Sequence, residues 1–182
     1  MVDPDSGVTL HGVRLGLAVG TVELVPYDDR WPALYESEAA LLRTGLQGQI
    51  GAIAHVGSTS ILGMQAKPII DLMVSVPSLR APRLFYWALA RYGYQLEPLD
   101  QVPDRLFFFK VIQGRPTHHL SACESGSEFW TSHLAFRDRL RADPALASAY
   151  LELKRRLWLE YLGDRAAYTA GKERFISDVL RA

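Results

Sequence analysis

Two short β-branched apolar runs, AIAHV (52–56) and PIIDLMVSV (68–76), constrain this chain more than any other feature. Runs of that length, apolar at nearly every position, suit strands buried at the centre of a sheet. Between them lies GSTSILGMQAK (57–67), a stretch of small and polar residues that ends in a lysine. Gly57 lets the backbone turn tightly, and the Ser58, Thr59 and Ser60 hydroxyls can then converge on an anion. Asp71 interrupts the second run. An unpaired buried carboxylate costs on the order of several kcal/mol, so Asp71 has to face a cleft, a cation or a metal ion. Two readings follow. Either the stretch is a phosphate-handling site, or Ser58 and Thr59 cap a short helix and Asp71 pairs with Lys67 or an arginine.

The surrounding pattern fits an α+β fold. TVELVPY (21–27) alternates like a strand, and DDRWP then opens a helix with an acidic N-cap and Pro32 in its first turn. Its apolar face comprises Trp31, Leu34, Tyr35, Leu41 and Leu42, and it ends near Gly45–Gly48. A second helix, RAPRLFYWALARYGY, stops at Gly93. YQLEPL, RLFFFKVI and THHLSAC are three successive strands, with turns at Pro103–Asp104 and Gly114. After Cys123 come three helices, 127–142, 143–163 and 164–182, with starts at Asp143–Pro144 and Asp164. Leu146, Tyr150, Leu153, Leu157 and Tyr161 give the middle one an apolar face for docking. The expectation is a mixed sheet flanked by helices with a helical C-terminal third. Residues 1–20, rich in glycine and small residues, read as a poorly ordered or loosely docked arm, and 21–182 as one domain.

Charge limits the partners. Twenty basic residues balance twenty acidic ones, which argues against broad nucleic-acid binding but leaves room for a local basic pocket. A single cysteine, Cys123, can form neither an internal disulfide nor a zinc site, and it reads as buried and inert. No stretch approaches the ~18 apolar residues of a membrane span, and the N-terminus lacks the look of a signal peptide. The expected setting is cytoplasmic; the sequence gives no oligomeric state.

The opening stretch is not a P-loop, because Gly63 is followed by Met64-Gln65 rather than Lys-Ser/Thr. Nor does it hold a Gly-x-Ser-x-Gly nucleophile elbow. A second polar cluster is RPTHHLSAC, where strand alternation puts His119 and Ser121 on one face and His118 on the other. A histidine here could hold a phosphate, ligate a metal or act as a base, or could be satisfied by a backbone carbonyl. Arg105, Lys110 and Arg115 bring positive charge near the same sheet end, although Arg105 and Lys110 differ in strand parity. Tyr168 and Lys172, four apart, share a helix face and suit either a ligand contact or simple packing. The aromatic residues Phe107, Phe109, Trp130, Phe136 and Trp158 read as core. His11, His55 and His133 stand isolated.

Taken together, GTVELVPYDDRW, HVGSTSILGMQAKPIIDLMV, RLFFFK, PTHHL, FRDRLRADP, YLELKRRL and YTAGKERFI, in that order, resemble the GrpB family, small bacterial proteins sometimes fused to dephospho-CoA kinase. The resemblance implies a nucleotidyltransferase-like fold. In that fold a Gly-Ser turn receives a nucleoside triphosphate, and an Asp-x-Asp strand holds two Mg²⁺ ions. Gly57-Ser58 and Asp71 occupy those places, with Asp71 as the metal and catalytic position; the second acid position is Met73, a poor ligand for a hard cation. The family's His-His-Leu-His is here His118-His119-Leu120-Ser121, and Glu124 is a further carboxylate by position only. The implied ligand is a nucleotide or other phosphorylated small molecule, transferred as a nucleotidyl group or only bound, as in an accessory protein of coenzyme A or nucleotide metabolism. Ser58, Thr59 and Ser60 would cradle its phosphate, Lys67, Arg105, His118 and His119 would neutralise it, and His119 would assist Asp71 in catalysis. Lys110, Arg115, Tyr168 and Lys172 complete the expected contacts.

Overall fold

The computed structural model describes residues 7–17, 21–80, 83–98 and 102–182. The two apolar runs are the strands β3 (Ile53–Val56) and β4 (Ile70–Val76), paired antiparallel so that Val56 faces Asp71. The helix α2 (Arg83–Arg91) leads to β5 (Tyr94–Leu96), β6 (Leu106–Ile112) and β7 (Arg115–Glu124). In the five-stranded sheet the order is β3-β4-β7-β6-β5, and only the β4–β7 pair is parallel. A Gln113-Gly114 turn joins β6 to β7 with positive φ at both residues (50° and 76°), the geometry of a tight hairpin turn whose twist matches the strands.

The sheet is covered on both faces. On one, Leu72, Val74, Leu120, Ala122 and Phe108 pack beneath α1 (Trp31–Gly45) and α2 in the main core. On the other, Val56, Met73 and Cys123 pack beneath Phe129, Trp130 and Leu134 of α3 (Glu128–Ala142). Burial raises the Cys123 thiol to about 11, which keeps it unreactive as expected. Three more helices follow, α4 (Pro144–Glu160), α5 (Arg165–Ala170) and α6 (Glu173–Arg181). Asp143 caps α4 by accepting from the amides of Ala145 and Leu146 at 2.9 and 3.0 Å, and Asp164 caps α5 through Ala167.

Several expectations need correction. TVELVPY forms no strand; Val25 and Ala66 make one isolated antiparallel bridge, with amide–carbonyl distances of 2.9 and 3.2 Å. This segment gives its hydrogen bonds to the 57–67 loop and to α4 instead, where the Trp158 indole donates to the Val22 carbonyl at 2.8 Å. In the expected N-terminal arm, β1 (Val8–Leu10) and β2 (Val13–Leu15) form a hairpin that buries Val8, Val13 and Leu15. It is docked by the Gly16 amide, which donates to the Pro68 carbonyl at 2.7 Å, and by the Arg14–Glu23 pair at 2.8 Å. The rest of that arm, 1–6 and 18–20, lies outside the described residues. Asp28 and Asp29 do not cap α1; Asp28 folds onto Arg30, accepting from its amide at 3.0 Å. Leu41 stays 49% exposed and is no part of the buried face. The last expected helix divides at Gly171-Lys172 into α5 and α6.

Candidate functional site

The first turn after β3 is fixed by one contact. Gly57 has φ +68° and ψ −176°, a backbone region essentially reserved for glycine. A Cβ there would lie 2.3 Å from Asp71 Oδ2. The backbone therefore passes directly over the Asp71 carboxylate, and only glycine fits. A single 3-10 turn, Ser58–Ser60, follows. Beside it opens a cavity of about 280 Å³, lined on one side by Gly57, Ser58, Thr59 and Asp71 and on the other by the C-terminal helices.

Asp71 and His119 are register partners across the parallel β4–β7 pair, and their side chains meet at 3.0 Å. Burial alone would raise the Asp71 carboxyl. The hydrogen bond from His119, together with the charges of His119, His55 and Lys172, outweighs it and holds Asp71 below its ordinary value. Asp71 is thus already partnered before any ligand arrives.

Three lysines face the same cavity. Lys154, on α4, is 2% exposed; its ammonium donates to Ser58 Oγ at 3.0 Å and to the Gln65 carbonyl. Lys67 and Lys172 each lie over the Tyr168 ring, 4.5 and 4.7 Å from its centroid. Among the described residues none of the three forms an ion pair with a carboxylate. Burial first, and then mutual repulsion with Lys172 and Arg165, lowers Lys67 to about 7; burial and the Lys172 and Lys67 charges lower Lys154 to about 7. Lys172 is lowered in the same direction by burial. Arg165 adds a further cation at the cavity wall.

The sequence-expected residues divide into two groups. Gly57, Ser58, Thr59, Lys67, Asp71, His119, Tyr168 and Lys172 come together around this cavity. Thr59 lies inward with its hydroxyl 3.0 Å from His55 Nε2. The remaining five do not line it. The Ser60 hydroxyl donates back to the Gly57 carbonyl at 2.6 Å, and that residue faces a separate groove beside Leu62 and Arg141. Arg105 lies over the rings of Phe107 and Phe129, at 4.7 and 5.4 Å. Lys110 crosses to the opposite sheet face, where both Glu38 oxygens accept from it at 2.9 Å. His118 is on that face too, 3% exposed, with Nδ1 2.9 Å from Thr117 Oγ1; burial holds its ring at about 4 and hence neutral. Arg115 begins β7 against Gly16, the residue that follows β2. Strand parity separates His118 from His119 and removes Lys110 from the cleft.

Lys154 was not singled out from the sequence, although the signal exists. It falls four residues after Tyr150 and three before Leu157, in the middle of the apolar stripe that docks α4. A lysine in such a stripe has no solvent to reach unless a cavity receives it.

The GrpB protein family model matches residues 21–182. The chain belongs to the GrpB family. It is 35% identical over 170 residues to the glutamate-rich protein GrpB of Alkalihalophilus pseudofirmus, an alignment covering 91% of this chain and 98% of that one. The crystal structure of GrpB from Enterococcus faecalis superposes with a TM-score of 0.79 at 30% identity, over 87% of this chain and 95% of that one. The Cid1 poly(U) polymerase with Mg 3'-dATP bound superposes with a TM-score of 0.52 at 14% identity, over 80% of this chain and 49% of that one. That likeness concerns the fold: this GrpB protein has a nucleotidyltransferase-like architecture.

The donor set does not fit the pair of magnesium ions that the fold implies. Among the described residues Asp71 is the sole carboxylate lining the cavity, and it is held by His119. Met73, at the second acid position, is fully buried beneath α3. Among the described residues no group of three or more His, Cys, Asp or Glu side chains is placed to hold a metal ion. The lining carries ammonium groups where a second hard cation would need oxygens.

Proposed function

We propose that this cavity binds a nucleotide or other phosphorylated small molecule. One observation carries the reading: the ammonium groups of buried Lys154 and half-buried Lys67 and Lys172 line a single cavity, and among the described residues none of them is ion-paired with a carboxylate. Buried charge is costly unless it is matched. Asp71 supplies one negative charge in the lining and shares it with His119, and an anionic ligand supplies the rest. Ser58 adds a hydroxyl on the wall facing the lysines, in contact with Lys154, a mixture of ammonium and hydroxyl donors suited to phosphate oxygens. The hydrogen-bonded Asp71–His119 pair sits beside them.

Thermal denaturation against a panel of nucleotides, sugar phosphates and coenzyme A precursors tests this. A ligand at one hundred times its dissociation constant stabilises by about 2.7 kcal/mol, which is roughly 5–10 °C for a chain of this size. If no phosphorylated compound shifts the melting curve, the reading fails.

Two forms of it differ in turnover. Transfer of a nucleotidyl group to a small acceptor is the enzymatic form, with Asp71 as its catalytic carboxylate. Binding without turnover, as a sensor or accessory protein of coenzyme A or nucleotide metabolism, is the other. Met73 favours the second, because the strand offers one carboxylate where in-line nucleotidyl transfer uses two. Pyrophosphate released from a nucleoside triphosphate, and lost in Asp71→Ala, would favour the first.

A further inference from the structure

We propose that the ligand is a small phosphomonoester taken up without any divalent cation, its terminal phosphate held directly by Lys67, Lys154 and Lys172. The inference rests on the phosphate-site reading above and narrows it in charge, size and metal requirement.

Charge comes first. The three lysines come from three different segments: the loop before β4, the buried face of α4, and the α5–α6 junction. Each is fixed, Lys154 by Ser58 and Gln65, the other two by the Tyr168 ring. Their positive charge is concentrated round a cavity that has one carboxylate among the described residues, Asp71. Here the cations are covalently part of the protein. A terminal phosphate carries about −1.5 to −2 charges at pH 7 and offsets much of the positive charge that Lys67, Lys154, Lys172 and Arg165 place round the cavity, where Asp71 is already shared with His119. A phosphodiester, with a single charge, leaves the cluster more strongly self-repelling. A divalent cation entering beside the lysines meets repulsion from all three and a single occupied carboxylate.

Size comes second. A cavity of about 280 Å³ lies at the lower edge of the ~300–1,000 Å³ range of ligand pockets. A sugar phosphate fills such a space. A nucleoside triphosphate leaves its base and part of its phosphate chain outside.

Isothermal titration calorimetry with ribose 5-phosphate as the probe decides the matter, run in EDTA and again in magnesium chloride. Binding is expected in EDTA, changed less than about twofold by magnesium, with no heat from ribose itself. ATP is expected to bind about tenfold more weakly than ribose 5-phosphate. Lys67→Met and Lys154→Met should each weaken the probe about tenfold or more, the scale of losing a charge-assisted hydrogen bond. Lys67→Met is the safer variant for folding, because Lys67 makes a ring contact rather than a hydrogen-bonded anchor, and a cooperative melt confirms that it folds. Binding that appears only with magnesium, a preference for ATP, or unchanged affinity in the folded Lys67→Met protein would each overturn the metal-free, small-ligand inference while leaving a phosphate site standing. Silence from every phosphorylated compound, with and without magnesium, removes the phosphate site itself.

Discussion

At the scale of single residues, the site depends on Gly57 for two separable reasons. Its φ is positive, and a side chain would strike Asp71 at 2.3 Å. Gly63 shares the first property, with φ +75°, but has open space where its Cβ would project. Gly63→Ala should therefore cost only the left-handed penalty, about 1 kcal/mol. Gly57→Ala meets a glycine-only backbone region, ψ −176°, and displaces the Asp71 carboxylate as well, for a total of about 3 kcal/mol, or roughly 6–12 °C in melting temperature. Denaturant melts of the two variants check the comparison; equal losses would mean that the turn does not lie against Asp71. This juxtaposition was only partly legible in the sequence. The Gly-Ser turn and the acid in an apolar strand were visible, whereas the pairing of Asp71 with His119 depends on β4 and β7 being neighbours. No local pattern states that neighbour relation. Parity did separate His118 from His119, and the structure places them accordingly; assigning both to one phosphate site conflicted with the strand period itself.

At the scale of elements, α4 positions the most buried cation of the site, and its own ends are built from local chemistry. Asp143 accepts from two first-turn amides, and Pro144 follows at the first helical position. Asp143→Ala should remove that cap at about 1 kcal/mol, lowering the melting temperature by roughly 2–4 °C. Ligand affinity should hold within about twofold, because Lys154 is anchored at mid-helix by Ser58 and Gln65. Calorimetry and thermal melts on the same protein separate these effects; a tenfold loss of affinity would show that the helix start sets the lysine. Helices and their starts were the most readable part of this chain, because caps and proline act within a few residues. The edges were harder. TVELVPY has strand-like alternation, yet its partners proved to be a loop and α4 rather than a strand, and alternation does not identify a partner. The hairpin in VTLHGVRL carries its signal in His11-Gly12, which have φ of 50° and 79°; glycine-rich flanks obscure this two-residue turn between alternating arms.

Across the whole molecule, the buried titratable groups set opposite pH responses for folding and for binding. Lys67 and Lys154 sit at about 7 in the folded chain against 10.5 when exposed. Between those values the unfolded chain binds more protons, so stability rises with pH; the penalty is complete below pH 7 and is relieved above it. The window is bounded above by Cys123, held at about 11 against 9.0, because an acid raised by folding withdraws stability once pH passes its unfolded value. Between pH 7 and 9 the ligand-free protein should gain on the order of 1–3 kcal/mol. A lower step belongs to His55 and His118, each held at about 4 against 6.5 by burial, so stability falls as pH drops from 6.5 toward 4. The groups facing the lysine cluster decide how far the upper step can be read. Asp71 and His119 come from the sheet, Tyr150 from α4, Tyr168 and Arg165 from α5, and His133 and Arg137 from α3. Arg137 is committed to the His55 carbonyl and Asp138, and burial raises both tyrosines away from the window. Anion binding runs the other way, because a phosphate favours the protonated lysines and its affinity should fall as pH climbs from 7 to 9. Denaturant melts of the ligand-free protein and calorimetry with ribose 5-phosphate, taken at the same pH values, should therefore diverge. Lys67→Met ought to flatten the upper step of the stability profile and raise stability at pH 7, since it removes one of three mutually repelling charges. If Lys67→Met instead destabilises at pH 7, the lysines are balanced within the fold and the demand for an anionic ligand disappears.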